Sequence, residues 1–167
     1  MDEVELLWLA DRAKECHKII EVGSWMGRST TALAEHTPGV VFAVDTWQGA
    51  PEIPQDMVGP QGWLFRQFQE NTKGLPVIPI QMPSVEAAGL FKRAGLADFD
   101  MIFIDAAHDY ESVKADILAW QPLLKSGGLF CGHDYGVFPG VDRAVTELLG
   151  SIKLPAYSIW VKEGENV

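Results

Sequence analysis

The sequence predicts an α/β protein, a mostly parallel sheet with helices on both faces. Three observations carry this. Short apolar segments alternate with helical ones along the chain, the pattern of parallel strands joined by crossover helices. Two of those segments, VVFAVDTW (Val40 to Trp47) and FDMIFIDA (Phe99 to Ala106), are near-continuous apolar runs of the kind covered on both faces. A strand–glycine–helix junction, EVGSWMGRST, follows the first strand. The 167 residues are expected to make one domain, 1–167, long enough to bury about 70 % of its unfolded surface.

The elements follow in order. Residues through about Cys16 place Val4, Leu7, Trp8 and Ala13 among charged residues and read as a surface helix. IIEVG (Ile19 to Gly23) is a short strand closed by glycine. Ser29 to His36 is a helix stopped by Thr37-Pro38-Gly39. Beyond the second strand, Gln48 to Pro60 carries Pro51, Pro54 and Pro60 with Gly49 and Gly59, and must be a loop. Gln61 to Asn71 is a helix capped by Gly74, and its Trp63, Phe65 and Phe68 read as packing. VIPIQM is a third strand, weakened by Pro79. Val85 to Ala94 is a helix ending at Gly95. After the fourth strand, Glu111 to Leu124 carries Val113, Ile117, Trp120 and Leu124 as a core-facing stripe, with Asp109 as its N-cap. Lys125-Ser126-Gly127-Gly128 reads as a turn and LFCGHD as the fifth strand. A helix from Val141 to Leu149 and a last strand, AYSIWVK, close the fold.

Composition narrows the function. Lys and Arg number 13 against 23 Asp and Glu, a net charge of -10, which argues against a nucleic-acid or anionic-membrane surface. No apolar run approaches the roughly 18 residues of a membrane span. The opening MDEVELLWLA is acidic where an export signal is basic. Cys16 and Cys131 lie in no Cys-x-x-Cys, so reduced thiols in a cytoplasmic protein are expected.

In an open α/β sheet, ligands sit outside the carboxyl ends of the strands. There the first strand brings Glu21, Gly23, Ser24 and Trp25, and the second Asp45, Thr46 and Trp47. The third brings Gln81, Met82 and Ser84, the fourth Asp105, Ala106, Ala107, His108 and Asp109, and the fifth His133, Asp134 and Tyr135. Polar and ionisable groups thus gather at one end of every strand. The junction lacks the G-x-G-x-x-G of dinucleotide folds. Its glycines let the backbone approach a ligand, and Asp45, about 20 residues on, can accept both hydroxyls of a ribose. Asp45 also reads as a loop-capping aspartate, and His108 as a solvated turn residue; its company of Asp105, His133 and Asp134 favours chemistry.

EVGSWMGRS with Asp45 resembles the first two motifs of the class I S-adenosylmethionine-dependent methyltransferases, which implies a Rossmann-like fold with an antiparallel C-terminal strand. FDMIFIDAAHDYESVKADILAWQPLLKSGGLFCGHDYG resembles the branch that includes macrolide-sugar O-methyltransferases and cephalosporin-hydroxylase-like proteins. The resemblance runs from Ile19 to about Val145. It implies methyl transfer from S-adenosylmethionine to a hydroxyl of a small molecule, a sugar or a vicinal diol. It implies that Glu21 holds the methionine amino group, with Gly23 and Ser24 beside it and Gly27 closing the motif. Trp25 and Ser29 would lie near the methionine carboxylate, Asp45 on the ribose, Trp47 over the adenine and Ser84 at its edge. Metal-dependent members bind Mg²⁺ at positions matching Asp105, His133 and Asp134, with Asp105 also near the cofactor, and their general base matches His108. Such enzymes commonly form homodimers. Two departures stand out. Ala106 replaces a usual glycine, with no consequence expected. His133 replaces an oxygen ligand, and imidazole suits transition metals better than Mg²⁺. Three alternatives stay open: an ion such as Mn²⁺ or Fe²⁺, Mg²⁺ on Asp105, Asp134 and waters, or no metal. Competing readings are a non-catalytic S-adenosylmethionine-binding protein and a nicotinamide-dependent oxidoreductase; the latter lacks both its glycine fingerprint and a Tyr-x-x-x-Lys pair.

Overall fold

The computed structural model describes residues 1–49 and 58–162. Its elements are α1 (Glu3–Ala13), β1 (Lys18–Val22), α2 (Arg28–Ala34), β2 (Val40–Asp45), α3 (Trp63–Asn71), β3 (Val77–Gln81) and α4 (Ser84–Arg93). They continue with β4 (Phe99–Ile104), α5 (Tyr110–Trp120), a 3-10 turn (Gln121–Leu123), β5 (Leu124–Gly132), α6 (Pro139–Leu149), β6 (Ile152–Ala156) and β7 (Ile159–Lys162). The strands form one sheet in the order β3-β2-β1-β4-β5-β7-β6. The first five are parallel; β7 runs antiparallel to β5, and β6 antiparallel to β7.

Side-chain alternation explains why both faces are covered. In β4, Met101 and Phe103 join a cluster with Leu9, Ala13 and Leu33 of α1 and α2. Ile102 and Ile104 point to the opposite face, into a cluster with Val113, Ile117, Trp120 and Val141. The expected stripe of α5 is buried through Trp120, whereas Leu124 starts β5. Each such buried aliphatic or aromatic side chain contributes roughly 1.5–3 kcal/mol.

Four expectations need correction or completion. The buried face of α1 is Glu5, Leu9, Ala10 and Ala13, while Val4 and Leu7 are exposed; the helix turns toward the sheet along the 5, 9, 13 row. Lys125 to Gly128 does not break the chain, because β5 runs through it as an irregularity in the β4–β5 register, with Gly127 at φ 72°. The last strand is a hairpin: Tyr157 at φ 39° turns the chain, and Pro155 falls in β6 at the sheet's edge, where a missing N–H is tolerated. Pro79 is likewise on an edge strand, β3. Of the Gln48–Pro60 loop, residues 50–57 lie outside the described residues. No described helix is long and apolar enough to cross a membrane.

The sheet levels its own strand ends. Gly23 N–H donates to Val44 O at 2.8 Å, Asp105 N–H to Val22 O at 2.8 Å and His133 N–H to Ile104 O at 3.0 Å. Each bond extends the parallel ladder one residue past its strand. Gly23, Asp105 and His133 therefore stand side by side in one row.

Candidate active site

Gly23 has φ 90°, and a Cβ on it would stand 2.1 Å from the Asp105 carbonyl oxygen. Only glycine allows that conformation and that approach between the ends of β1 and β4. Ala106 is not in the left-handed region, so its methyl is accommodated without strain. Trp25 is left-handed at φ 46°, rare for a bulky side chain, and its N–H donates to Asp45 Oδ2 at 2.8 Å. The other oxygen of Asp45 accepts from Trp47 N–H at 2.7 Å. Burial raises the Asp45 carboxyl despite those N–H donors. The Ser24 and Thr46 N–H groups face the same carboxylate.

A cavity of about 680 Å³ opens over these ends, walled by Gly23, Trp25, Asp45, Ser84, Asp105 and His108 among others. That volume suits a cofactor-sized molecule. Ser24 and Ser29, from the turn and the start of α2, also line it. Ser24 Oγ is buried and faces the Glu21 carboxylate behind the turn.

Three expected cofactor residues stay out of this wall. Glu21 is fully buried and accepts from the Thr30 hydroxyl, bracing β1 against α2; burial pushes its carboxyl up to about 7. Its Oε2 takes the Thr30 bond, and Oε1 lies buried behind the turn. Gly27, at φ 86°, caps α2 and packs toward Phe68 and Thr72. Trp47 is a core residue, 3 % exposed, with its ring 4.7 Å from those of Phe65 and Phe68. Its indole N–H donates to Trp25 O at 2.7 Å, so it supports the turn and does not cover a base. The aromatics of α3 pack as expected.

Beside the cavity, a void of about 10 Å³ is bounded by Asp105, His133 and Asp134 among others. Their ligand atoms lie within 4.8 Å of one another. His133 Nδ1 is 3.0 Å from Asp134 Oδ1 and 3.4 Å from Asp105 Oδ1. Its Nε2 is 3.1 Å from Glu5 Oε1 and 3.0 Å from Ser158 Oγ. Burial opposes a charge on the ring, but the Asp105, Asp134 and Glu5 carboxylates outweigh it and push its pKa up to about 10. Asp134, at φ 67°, extends its second oxygen to 3.1 Å from His108 Nε2. Burial raises the Asp134 carboxyl, and the two histidines more than reverse that. The His108 ring stacks on Phe138 with centroids 4.1 Å apart. Asp109 caps α5, accepting from Ser112 N–H at 3.0 Å, and takes no part.

A methyltransferase-domain family matches residues 20–135, which span every strand end just described. The chain belongs to that methyltransferase family. No curated protein matches it. Among solved structures, a calicheamicin methyltransferase is 17 % identical, with a TM-score of 0.73 over 96 % of this chain and 79 % of that one. The O-methyltransferase TomG from Streptomyces achromogenes, solved with S-adenosylmethionine, is 15 % identical, with a TM-score of 0.70 over 98 % of this chain and 82 % of that one. A Bacillus cereus O-methyltransferase solved with SAH is 18 % identical, with a TM-score of 0.66 over 98 % and 82 %. These likenesses establish the class I Rossmann-like methyltransferase fold.

The methyltransferase has two site residues that sequence reasoning missed. Asp116, 5 % exposed, stands in the cavity wall and accepts from Ser84 Oγ at 2.5 Å, while Trp120 Nε1 donates to that hydroxyl at 2.8 Å. Glu5 reaches His133 from α1. Both sit on the apolar row of their helix, at 113, 116, 120 and at 5, 9, 13; a carboxylate on such a row was the available signal. Burial lifts the Asp116 carboxyl from an ordinary 3.8 to about 6. A raised carboxyl leaves stability intact below its ordinary pKa and erodes it as pH rises through the folded value. Asp116→Asn should therefore stabilise the ligand-free methyltransferase by about 2 kcal/mol at pH 8 and hardly at all at pH 3.5. Urea unfolding at the two pH values checks this; equal gains at both would contradict it.

Proposed function

We propose that this methyltransferase moves the methyl group of S-adenosylmethionine to a hydroxyl of a small molecule, a sugar or a vicinal diol, with a divalent ion assisting. The observation that carries the reading is continuity: one cavity joins Asp45 to Asp105 and His108, and the Asp105–His133–Asp134 cluster adjoins it. Asp45 would take the ribose hydroxyls. Ser84, with Asp116 behind it, would meet the adenine edge. Trp25, Ser24 and Ser29 would face the methionine carboxylate, and Asp105 its amino group. Ser24, Trp25 and Ser29, which line the cavity at the turn, support this placement. Two structural neighbours were solved with this cofactor or with SAH. Two buried free cysteines suit a cytoplasmic enzyme.

The donor set, two carboxylates and an imidazole around a void the size of one small ion, fits a divalent cation. Bound on Asp105, Asp134 and His133, it would hold acceptor oxygens together and lower the pKa of the one that reacts. The chain's own chemistry centres on His108. Asp134 Oδ2, 3.1 Å from its Nε2, would orient the ring toward the acceptor. His108 would take the proton of the acceptor hydroxyl; S-adenosylmethionine bound in the cavity would supply the methyl group, its sulfur keeping the electron pair of the broken carbon–sulfur bond. Alignment, more than new bonding, lowers this barrier.

A methyl-transfer screen with radiolabelled S-adenosylmethionine against sugars, catechols and polyols tests the reading. Label on oxygen is expected. Cofactor binding with no turnover of any hydroxylated acceptor would favour a non-catalytic binding protein. Asp45→Ala should weaken S-adenosylmethionine binding by roughly 1–3 kcal/mol through lost charge-assisted hydrogen bonds, as read by calorimetry. Unchanged affinity would remove Asp45 from the ribose.

A further inference from the structure

Glu5 is the third residue of α1, and one of its oxygens does what a capping glutamate does: Oε2 accepts from Asp2 N–H at 2.8 Å. A capping glutamate ordinarily stays in water, yet Glu5 is 3 % exposed. Its second oxygen explains the burial. Oε1 accepts from Ser158 Oγ at 2.7 Å and from Ser158 N–H at 3.2 Å, and lies 3.1 Å from His133 Nε2. The chain brings α1, the end of β5 and the β6–β7 turn together at this one ring.

With Nε2 committed to Glu5 and Ser158, only Nδ1 faces the void, between Asp105 and Asp134. A histidine that binds a metal through one nitrogen characteristically donates its other N–H to a carboxylate, which fixes ring orientation and raises ligand basicity. Imidazole beside two carboxylates is a donor set for a transition ion, whereas Mg²⁺ favours oxygen throughout. The geometry points to Glu5 as the positioning residue that makes His133 a nitrogen ligand through Nδ1, and to a transition ion such as Mn²⁺, Fe²⁺ or Co²⁺, in preference to Mg²⁺, as the ion of this site. The inference rests on the metal-assisted reading above. The ion takes the place of a proton on Nδ1, and Glu5 keeps the proton on Nε2.

The full chain, stripped by chelation, is titrated separately with Mn²⁺, Co²⁺ and Mg²⁺, and the Mn²⁺ form is examined by pulsed electron paramagnetic resonance. Mn²⁺ and Co²⁺ should bind at least roughly 10-fold tighter than Mg²⁺, and a ¹⁴N coupling to Mn²⁺ should be present. Glu5→Gln should weaken Mn²⁺ and Co²⁺ about 10–100-fold with the fold retained by circular dichroism. His133→Asp should abolish the coupling and move preference toward Mg²⁺. If Glu5→Gln does not fold, the wild-type coupling and His133→Asp decide the matter. Mn²⁺ bound without nitrogen coupling, or with undiminished affinity in folded Glu5→Gln, overturns the inference and leaves metal assistance standing. No binding of any of the three ions overturns both.

Discussion

Replacing His108 by alanine should cut turnover by about 10²–10⁴-fold and leave S-adenosylmethionine affinity nearly unchanged. The ring stands in the wall of the cavity, stacked on Phe138, with Asp134 Oδ2 3.1 Å from its Nε2. A carboxylate on one nitrogen sets the tautomer and supports the charge that the ring acquires, as in hydrolytic triads. Gly140 helps to place the loop: a Cβ there would stand 2.3 Å from the His108 carbonyl oxygen. The α6 backbone can thus close against the segment that carries His108. Steady-state kinetics with a turned-over acceptor, together with cofactor calorimetry, separates the roles. A variant that loses cofactor binding but keeps its turnover at saturation would make His108 a binding residue and place the base elsewhere.

Asp134→Ala should be at least as damaging, because one carboxylate serves two partners. Oδ1 lies 3.0 Å from His133 Nδ1 and Oδ2 3.1 Å from His108 Nε2. Removing it takes away a candidate metal ligand and the anchor of the candidate base together. Loss of the orienting aspartate in a Ser-His-Asp triad costs about 10⁴-fold, and a drop on the order of 10³–10⁴-fold is expected here. The left-handed backbone at Asp134, φ 67°, tolerates aspartate or asparagine better than most residues, so Asp134→Asn is the gentler comparison. Activity that survives exhaustive chelation, with Asp134→Asn fully active, would contradict both the ion and the anchor.

Much of this was legible beforehand because buried parallel strands leave a strong trace. FDMIFIDA and VVFAVDTW are apolar on both faces, and the polar residues that follow them must land at one end of the sheet. Asp45, Asp105, His108, His133 and Asp134 fall at that end for this reason, and the hydrogen-bonded row through Gly23, Asp105 and His133 is what brings three of the strand ends together. Other features depended on contacts that no local pattern encodes. Glu5 meets Ser158 across 153 positions, so its burial is a property of the closed fold. Trp47 lies two residues after Asp45 in sequence, yet the α3 aromatics draw it into the core. Asp116 looks like a solvated helix charge until α4 brings Ser84 against it. The β6–β7 hairpin was hidden because SIKLPAYSIWVK has no glycine or asparagine at its turn; Tyr157 takes the left-handed conformation instead.

The measurement that bears most directly on the central claim is a calorimetric titration of the purified protein with S-adenosylmethionine, S-adenosylhomocysteine and NAD. The first two should bind one per chain, Asp45→Ala should weaken both, and NAD should give no heat. Clear binding of NAD with none of S-adenosylmethionine would contradict the assignment of this cavity.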